Sequence, residues 1–168
     1  ASLDKKEIEF KFRDVSIHSI IERAVDTIEI QVQQKHGVIR LNLNAGEPDI
    51  VGDEEHLTNL MHNLLDNALK YSNGCPEIII STSRDPGGIK ISVEDNGIGM
   101  SKSVQSKIFE RFYRQSSGNI HDVKGFGLGL NYVRAIIDAH HGEITVSSEP
   151  GKGSRFDIFL PFNRENLL

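Results

Sequence analysis

The sequence predicts an α+β fold, a two-layer sandwich in which helices cover one face of a mixed β-sheet. Three stretches carry apolar residues at helical spacing, and the shorter stretches between them alternate apolar with polar residues. The chain has 168 residues, of which 38% are hydrophobic and 26% are charged. This size and composition suit one globular domain with a buried core, so we expect a single domain over residues 1–168.

The N-terminal part predicts a strand followed by a long helix. Ile8, Phe10 and Phe12 alternate with charged residues, as in a half-buried strand. Ser16 suits the N-cap of the helix, and Gly37 is expected to end it. The predicted buried face of this helix comprises Ile17, Ile20, Ile21, Ala24, Val25, Ile28 and Val32.

Two strands and a second helix come next. Apolar residues over 38–43 predict one strand and residues 50–51 a short one, after which Asp53 caps the helix. The predicted core side of this helix comprises Leu57, Leu60, Met61, Leu64, Leu65, Ala68 and Leu69. The remaining pattern predicts strands at about 77–83 and 88–95, a helix around 128–140, and a hairpin of 143–149 with 154–160.

Charge and cysteine content exclude several classes of protein. The formal charge is −5 and no basic run interrupts it, which argues against a nucleic-acid-binding surface. Cys75 is the only cysteine, so no internal disulfide is possible and cytoplasmic residence fits. No stretch approaches the roughly 20 apolar residues of a membrane span, and the charged start is no signal peptide. We expect a soluble, monomeric fragment.

The most informative motif is Asp95-Asn96-Gly97-Ile98-Gly99-Met100, at the end of a predicted strand. It places one carboxylate at the strand's end, before glycines that allow positive φ and close approach of a ligand to the backbone. Such a run alone is also ordinary turn chemistry. Three other segments accompany it: Asn63 to Ser72 (NLLDNALKYS), Phe109 to Arg114 (FERFYR) and Gly125 to Leu130 (GFGLGL).

In this order and spacing, the four segments resemble the N, G1, F and G2 boxes of the catalytic, ATP-binding domain of sensor histidine kinases. Residues 151–156 (GKGSRF), with Leu160-Pro161 after them, are similar to the G3 box. The wider superfamily shares this Bergerat nucleotide fold with DNA gyrase, mismatch-repair ATPases and heat-shock chaperones. The resemblance covers nearly the whole chain and implies ATP and Mg²⁺ as ligands.

The resemblance also implies a reaction and its partners. Domains of this family donate the γ-phosphoryl group of Mg-ATP to a histidine on an adjoining dimerisation domain, and a response regulator acts downstream. All seven histidines of this chain lack the context His-Glu/Asp-x-x-Arg/Lys-x-Pro of such an acceptor. We therefore expect the acceptor domain to be absent from this chain, which would not autophosphorylate alone. A cytoplasmic location within an inner-membrane sensor is expected.

The N box supplies candidate metal and nucleotide ligands. Asn63 and Asn67 are four residues apart, so their side chains share one helix face with Lys70 and Tyr71 about one turn further on. Carboxamide oxygens are hard ligands that suit Mg²⁺. Asn67 matches the family's metal ligand, and Asn63 is expected in the same shell. Lys70 is placed to reach phosphate and Tyr71 to line the base or ribose.

The G boxes supply the base and phosphate contacts that the resemblance implies. Asp95 matches the residue that accepts a hydrogen bond from the adenine amine, and a guanine carbonyl would face that carboxylate unfavourably. Ser154 matches a family hydroxyl position that reaches Asp95 or the base through water. The other expected nucleotide contacts are Gly97, Gly99, Lys124, Gly125, Gly127, Leu128, Gly129 and Leu130. Free N–H groups before a helix suit phosphate oxygens.

The segment between the F and G2 boxes is expected to be a nucleotide lid at about residues 115–127. Arg114 is the candidate contact to the γ-phosphate, whereas Arg111 suits either phosphate or a surface ion pair. Phe109, Phe112 and Tyr113 suit either the base of the lid or core packing. Lys124 and Phe126 replace the usual first glycine and threonine of the G2 box. Because of these replacements, the resemblance does not predict the lid's hinge.

Asn63 also bears on the reaction class. Superfamily members that hydrolyse ATP carry a glutamate base at this position, and an asparagine cannot take a proton from water near neutral pH. Hydrolysis should therefore be poor. Two alternatives stay open: an ATP-gated interaction module without phosphotransfer, and an anti-sigma-factor-like serine kinase. Phosphoryl transfer to a histidine on a supplied dimerisation domain distinguishes a histidine kinase from the interaction module. Acid lability of the transferred phosphate distinguishes a histidine kinase from a serine kinase.

Overall fold

The computed structural model describes residues 8–46, 49–110 and 129–162. Its strands are β1 (Arg13–Ser16), β2 (Val38–Leu43), β3 (Asp49–Gly52), β4 (Glu77–Asp85), β5 (Gly88–Asp95), β6 (Glu143–Glu149) and β7 (Gly153–Pro161). Its helices are α1 (Ile17–Gln34), α2 (Glu54–Lys70), α3 (Lys102–Gln105) and α4 (Gly129–Ala139). The predicted two-layer α+β sandwich is confirmed, because the long helices pack on one face of a mixed sheet.

The main sheet has five strands in the order β2-β4-β5-β7-β6. The β2 and β4 strands are parallel, and all other neighbours are antiparallel. Along β5, Ile89, Ile91 and Val93 are buried beneath the helices, whereas Glu94 is exposed on the other face. Because side chains alternate along a strand, Asp95 lies on the helix-covered face, at the end of the strand.

The two long helices begin where the sequence predicts. Ser16 caps α1 by accepting a hydrogen bond from the Ser19 N–H at 3.3 Å, and Asp53 caps α2 by accepting one from the His56 N–H at 2.9 Å. All apolar residues predicted for the core sides of α1 and α2 are buried. The helical periodicity therefore identifies both buried faces correctly.

The C-terminal end of α1 differs from the expectation that Gly37 ends it. The last helical residue is Gln34, and His36 adopts the left-handed conformation with φ at 58°. The Gly37 N–H then donates to the Val32 carbonyl at 2.9 Å, which completes a Schellman motif. Glycine is needed at 37 because a Cβ there would lie 2.4 Å from the carbonyl oxygen of Pro76.

The predicted strand at Ile8, Phe10 and Phe12 is wrong. Residues 8–12 have no strand structure, and β1 begins at Arg13. The Lys11 N–H donates to Asp53 Oδ2 at 2.7 Å instead of joining a strand ladder. The alternation nevertheless reports burial, because the two phenylalanine rings stack on each other at 5.6 Å and pack on histidine rings of the domain.

The sequence also gives no sign of α3, a single turn that follows the G1 box. Ser101 caps it by accepting a hydrogen bond from the Val104 N–H at 3.2 Å. In the part of the chain that the structure describes, no helix has the length and apolar character needed to cross a membrane.

Candidate functional site

The polar face of α2 carries the two candidate metal ligands. Asn63 and Asn67 lie one turn apart and both are half-buried. Neither carboxamide makes a hydrogen bond to another residue within 8–46, 49–110 or 129–162. Lys70 and Tyr71 follow at the end of the same helix and are also half-buried. The helix thus brings the four N-box residues together as predicted.

Asp95 lies at the end of β5, on the face covered by the helices. Its Oδ1 accepts a hydrogen bond from the Gly97 N–H at 2.8 Å, and its carboxyl also accepts one from the Ser154 N–H. Burial raises the pKa of the Asp95 carboxyl above its ordinary value, although these two hydrogen bonds oppose that effect. A half-buried carboxylate with lone pairs left to accept further hydrogen bonds suits a ligand that brings a donor.

The turn after Asp95 is fastened to the end of α2 and to the hairpin. The Ile98 N–H donates to the Tyr71 carbonyl at 3.0 Å, and the Ile98 carbonyl accepts from the Gly151 N–H at 2.7 Å. A Cβ on Gly97 would lie 2.6 Å from the Tyr71 carbonyl oxygen. Because of these contacts, the carboxylate of Asp95 and the carboxamides of α2 stand on elements that are joined directly.

Two more glycines allow the G1 and G3 segments to touch. Gly99 has φ at 71°, and a Cβ there would lie 1.9 Å from the Glu149 carbonyl oxygen. Gly153 has φ at 98°, and a Cβ there would lie 2.0 Å from the Asp95 carbonyl oxygen. The sequence predicts positive φ and close approach for the G1 glycines, but the approach of Gly97 and Gly99 seen here is to the protein's own backbone.

The G3 serine makes a contact that sequence reasoning missed. Ser154 Oγ lies 2.8 Å from Ser148 Oγ, on the neighbouring strand β6. Ser148 Oγ also accepts a hydrogen bond from the Met100 N–H at 2.8 Å. The signal was present in the predicted hairpin, because Ser148 and Ser154 flank its turn and pair across it.

The F and G2 segments are described only in part. Phe109 is half-buried, and its ring packs edge-on against Phe156 with 6.4 Å between centroids, so it serves core packing. Gly129 is buried and Leu130 is half-buried in the first turn of α4. The other predicted residues lie outside the described residues: Arg111, Phe112, Tyr113, Arg114, Lys124, Gly125, Gly127 and Leu128, with the lid at 115–127.

The donor set on α2 fits a magnesium ion that arrives with phosphate. Within the described ranges, no group of three or more His, Cys, Asp or Glu side chains could hold a metal ion. The two carboxamides of Asn63 and Asn67 are neutral oxygen donors, which suit Mg²⁺ but do not balance its charge. The phosphates of a nucleotide would supply that charge, so the site suits Mg²⁺ bound together with a nucleotide.

A second polar cluster lies at the opposite end of α2, which we call the Asp53 junction. Buried His140 accepts the Asp53 N–H at its Nε2 at 2.9 Å, and its Nδ1 lies 2.8 Å from the Ile136 carbonyl. Asp53 accepts N–H groups of His56 and Lys11. Burial would raise the pKa of Asp53, but these backbone hydrogen bonds lower it below its ordinary value. The junction holds segment 8–12, α2 and α4 together.

The first turn of α4 is joined to α2 by side chains. His56 Nδ1 lies 2.6 Å from the Tyr132 hydroxyl, and His56 Nε2 lies 3.0 Å from the Glu9 carbonyl. Tyr132 follows Gly129 by three residues, so this contact anchors the helix that begins at the end of the G2 box.

Comparison with known proteins gives a family match over about two thirds of the chain. The profile of the family described as histidine kinase-, DNA gyrase B-, and HSP90-like ATPase matches residues 52–164. Sensor protein RprX of Bacteroides fragilis is 41% identical over 160 residues, which cover 94% of this chain and 31% of RprX. The chain spans about a third of the length of the curated relatives that it matches.

Solved structures have the same fold. A nucleotide-free catalytic domain of histidine kinase ThkA has a TM-score of 0.81 at 21% identity, with 93% of this chain and 99% of that chain covered. Full-length ShkA in complex with AMPPNP has a TM-score of 0.79 at 27% identity, with 92% and 32% covered. A further structure shows ThkA in complex with response regulator protein TrrA, with a TM-score of 0.76 at 20% identity and with 92% and 42% covered.

Proposed function

Because the chain belongs to the histidine kinase-, DNA gyrase B-, and HSP90-like ATPase family, we propose that it is the catalytic domain of a two-component sensor kinase. It binds Mg-ATP and donates the γ-phosphoryl group to a histidine on an adjoining dimerisation domain. Residues 1–168 form one domain with a nucleotide lid at about 115–127. The similarity to sensor protein RprX supports this assignment.

One observation carries the proposal more than any other. The Ile98 N–H binds the Tyr71 carbonyl at 3.0 Å, so the strand end with Asp95 is fixed to the helix with Asn63 and Asn67. An adenine amine at Asp95 and a phosphate-bound Mg²⁺ at the two carboxamides can then be held by one rigid unit. The ShkA structure, which contains AMPPNP, supports a nucleotide of this type.

In the proposed reaction, a ring nitrogen of the acceptor histidine attacks the γ-phosphorus in line. The P–N bond forms as the bond to the β–γ bridging oxygen breaks, ADP leaves, and the imidazole proton passes to a carboxylate of the acceptor domain. Asn67 and Asn63 would hold Mg²⁺, which when bound would neutralise phosphate charge. Asn63 cannot deprotonate water, so the phosphoryl group is kept for the histidine.

The other site roles follow from the family resemblance. Lys70, Arg114 and Lys124 supply positive charge to the phosphates, with Arg114 at the γ-phosphate, and Tyr71 lines the base or ribose. The G2 backbone receives phosphate oxygens before α4. The partners are the histidine-bearing domain of the same protein and a response regulator, as ThkA is solved with TrrA. The location is cytoplasmic, within an inner-membrane sensor.

The test supplies the chain with its acceptor domain, taken from the coding sequence upstream, and with ATP labelled at the γ-phosphate. Acid-labile label on that domain is expected, because phosphohistidine hydrolyses in acid. ATP binding without transfer would favour an interaction module, and acid-stable label would indicate a serine kinase. Absence of ATP binding in calorimetry with magnesium would refute the proposal altogether.

A further inference from the structure

Three polar side chains form a row across the end of the sheet. Asp95 pairs with Ser154 between β5 and β7, and Ser154 pairs with Ser148 between β7 and β6. Paired residues point to the same face of a sheet, so all three side chains lie on the helix-covered face. They also line one open cleft of about 570 Å³.

The hydrogen bonds of Ser148 decide how the Ser154 hydroxyl is oriented. Ser148 Oγ donates its single proton to the Gly153 carbonyl at 2.8 Å. It therefore has no proton left for Ser154 Oγ, which lies 2.8 Å away. In that contact Ser154 must be the donor, since a hydroxyl group carries only one proton. The Ser154 oxygen consequently has only lone pairs to offer to any other partner.

Ser148 is itself held in place from the G1 side. The Met100 N–H donates to Ser148 Oγ at 2.8 Å. Gln105 Nε2 donates to the Met100 carbonyl and to the Ser148 carbonyl, both at 2.9 Å. Ser148 Oγ thus accepts two hydrogen bonds and donates one, which saturates a hydroxyl group. The orientation of Ser154 is fixed by a network that Ser148 completes.

We propose that Ser148 is a positioning and specificity-determining residue that keeps the Ser154 hydroxyl an acceptor beside Asp95. This inference rests on the proposed function, because it assumes that a purine binds at Asp95. Ionised Asp95 and the Ser154 oxygen together present only acceptors to the C6 edge of the base. An amine at C6 brings two protons to this edge, whereas a carbonyl at C6 adds another acceptor.

Removal of Ser148 Oγ releases the proton of Ser154, which can then turn toward the cleft and donate to a carbonyl. The probe is ITP, because hypoxanthine carries a carbonyl at C6 where adenine carries the amine. In Ser148→Ala we expect the ratio of ATP to ITP affinity, measured by calorimetry with magnesium, to fall about tenfold. Thr145→Ala is the control, because Thr145 is exposed on the other face of β6 and does not line this cleft. It should leave the ratio unchanged.

The decisive experiment makes the Ser148→Ala substitution in a chain that already lacks the Ser154 hydroxyl. Ser148→Ala added to Ser154→Ala should change the ratio less than about twofold, because no proton remains to be released. If Ser148→Ala folds poorly, Ser148→Cys serves, since a thiol keeps the size but is a weak acceptor.

If the ratio of ATP to ITP affinity is unchanged in the folded Ser148 variants, the inference is overturned. It is also overturned if Ser148→Ala lowers this ratio equally in the Ser154→Ala background. Equal weakening of ATP and ITP also overturns it, because that result indicates a merely structural serine. Failure of the wild-type chain to bind ATP would instead reject the proposed function. The wild-type measurement therefore separates the two failures.

Discussion

Helix α2 carries polar side chains at both ends, and the two groups differ in how far the protein itself satisfies them. At the Asp53 junction, Asp53 accepts hydrogen bonds from His56 and Lys11, and its own N–H donates to His140. The His56 ring lies within hydrogen-bonding distance of Tyr132. Every one of these groups has a partner, and the junction fixes how the elements pack.

The other half of α2 shows the opposite arrangement. The Asn63 and Asn67 side chains have no hydrogen-bond partner within the described ranges, and Asp66 Oδ2 is buried without one there. Leaving such groups unsatisfied costs stability. The comparison teaches that the Asp53 junction is satisfied within the described residues, whereas the carboxamides of Asn63 and Asn67 are not. The bonded groups at the Asp53 junction hold the fold, and we propose that Asn63 and Asn67 face the ligand.

The largest expected effect is at Asn67, one of the two carboxamides on α2 without a hydrogen-bond partner in the described ranges. In Asn67→Ala, loss of the metal ligand should reduce phosphotransfer by about 1,000-fold, while the melting temperature shifts by no more than about 2 °C. Transfer from labelled ATP to the acceptor domain measures the first quantity, and thermal denaturation measures the second. Asn42→Ala, at an exposed position on β2, is the control for both. Normal enhancement of nucleotide binding by magnesium in Asn67→Ala would contradict the metal assignment.

The next largest effect is expected at the Asp53 junction. His140→Ala leaves a cavity and deprives the buried Asp53 N–H of its acceptor, so the free energy of unfolding should fall by about 3 kcal/mol. Urea denaturation measures this loss, and ATP affinity of the folded fraction should stay close to normal. His141→Asn is the matched control, because His141 is exposed with φ at 58° and asparagine tolerates that conformation. A loss below about 1 kcal/mol in His140→Ala would show that the junction is not needed for stability.

Asp95→Asn should weaken ATP binding on the order of 1 to 3 kcal/mol, because it replaces an acceptor by an amide with mixed character. The fold should be unaffected or slightly stabilised, since a charge in a half-buried position is removed. Glu143→Gln, at an exposed position at the start of β6, should bind ATP normally. GTP should bind poorly to the wild-type chain. Equal affinity of the wild type for ATP and GTP would remove the role of Asp95.

The raised pKa of Asp95 predicts how ATP binding depends on pH. The adenine amine favours the ionised carboxylate, so affinity should fall as the pH drops through the raised pKa, above the ordinary range of aspartate. The sign for folding is opposite: the raised pKa favours the folded state below the unfolded pKa, and this contribution is lost as the pH rises through the folded value. We expect a loss of affinity of about threefold on mild acidification. Asp95→Asn should lack this dependence.

The smallest expected change tests whether a single substitution at Asn63 gives the site ATP-hydrolysing activity. Asn63→Glu introduces the carboxylate that ATP-hydrolysing members of the superfamily carry at this position. Here the carboxylate would lie beside the negative charge of the phosphates and would lack the residues that support it in those enzymes. ATP hydrolysis should rise by less than about tenfold. Asn63→Gln is the control for side-chain length. Turnover that approaches that of an efficient ATPase would show that Asn63 alone suppresses hydrolysis.

Much of the fold follows from the sequence because its signals are local. The buried faces of α1 and α2 follow from helical periodicity, and Ser16 and Asp53 cap the helices as their side chains predict. The order of the sequence boxes identifies the family, which the profile match over 52–164 confirms. The strand predicted at about 88–95 places Asp95 at its end, where the structure has it.

Only the tertiary structure decides what depends on contacts between distant residues. Residues 8–12 alternate as a strand does, but the Lys11 N–H binds Asp53, 42 residues away. Gly99 is required by a backbone oxygen of Glu149, which no local pattern reveals. The donor role of Ser154 depends on where Ser148 sends its single proton. Periodicity reports which side of an element is buried, whereas hydrogen-bond partners are set by the packing of elements far apart in the chain.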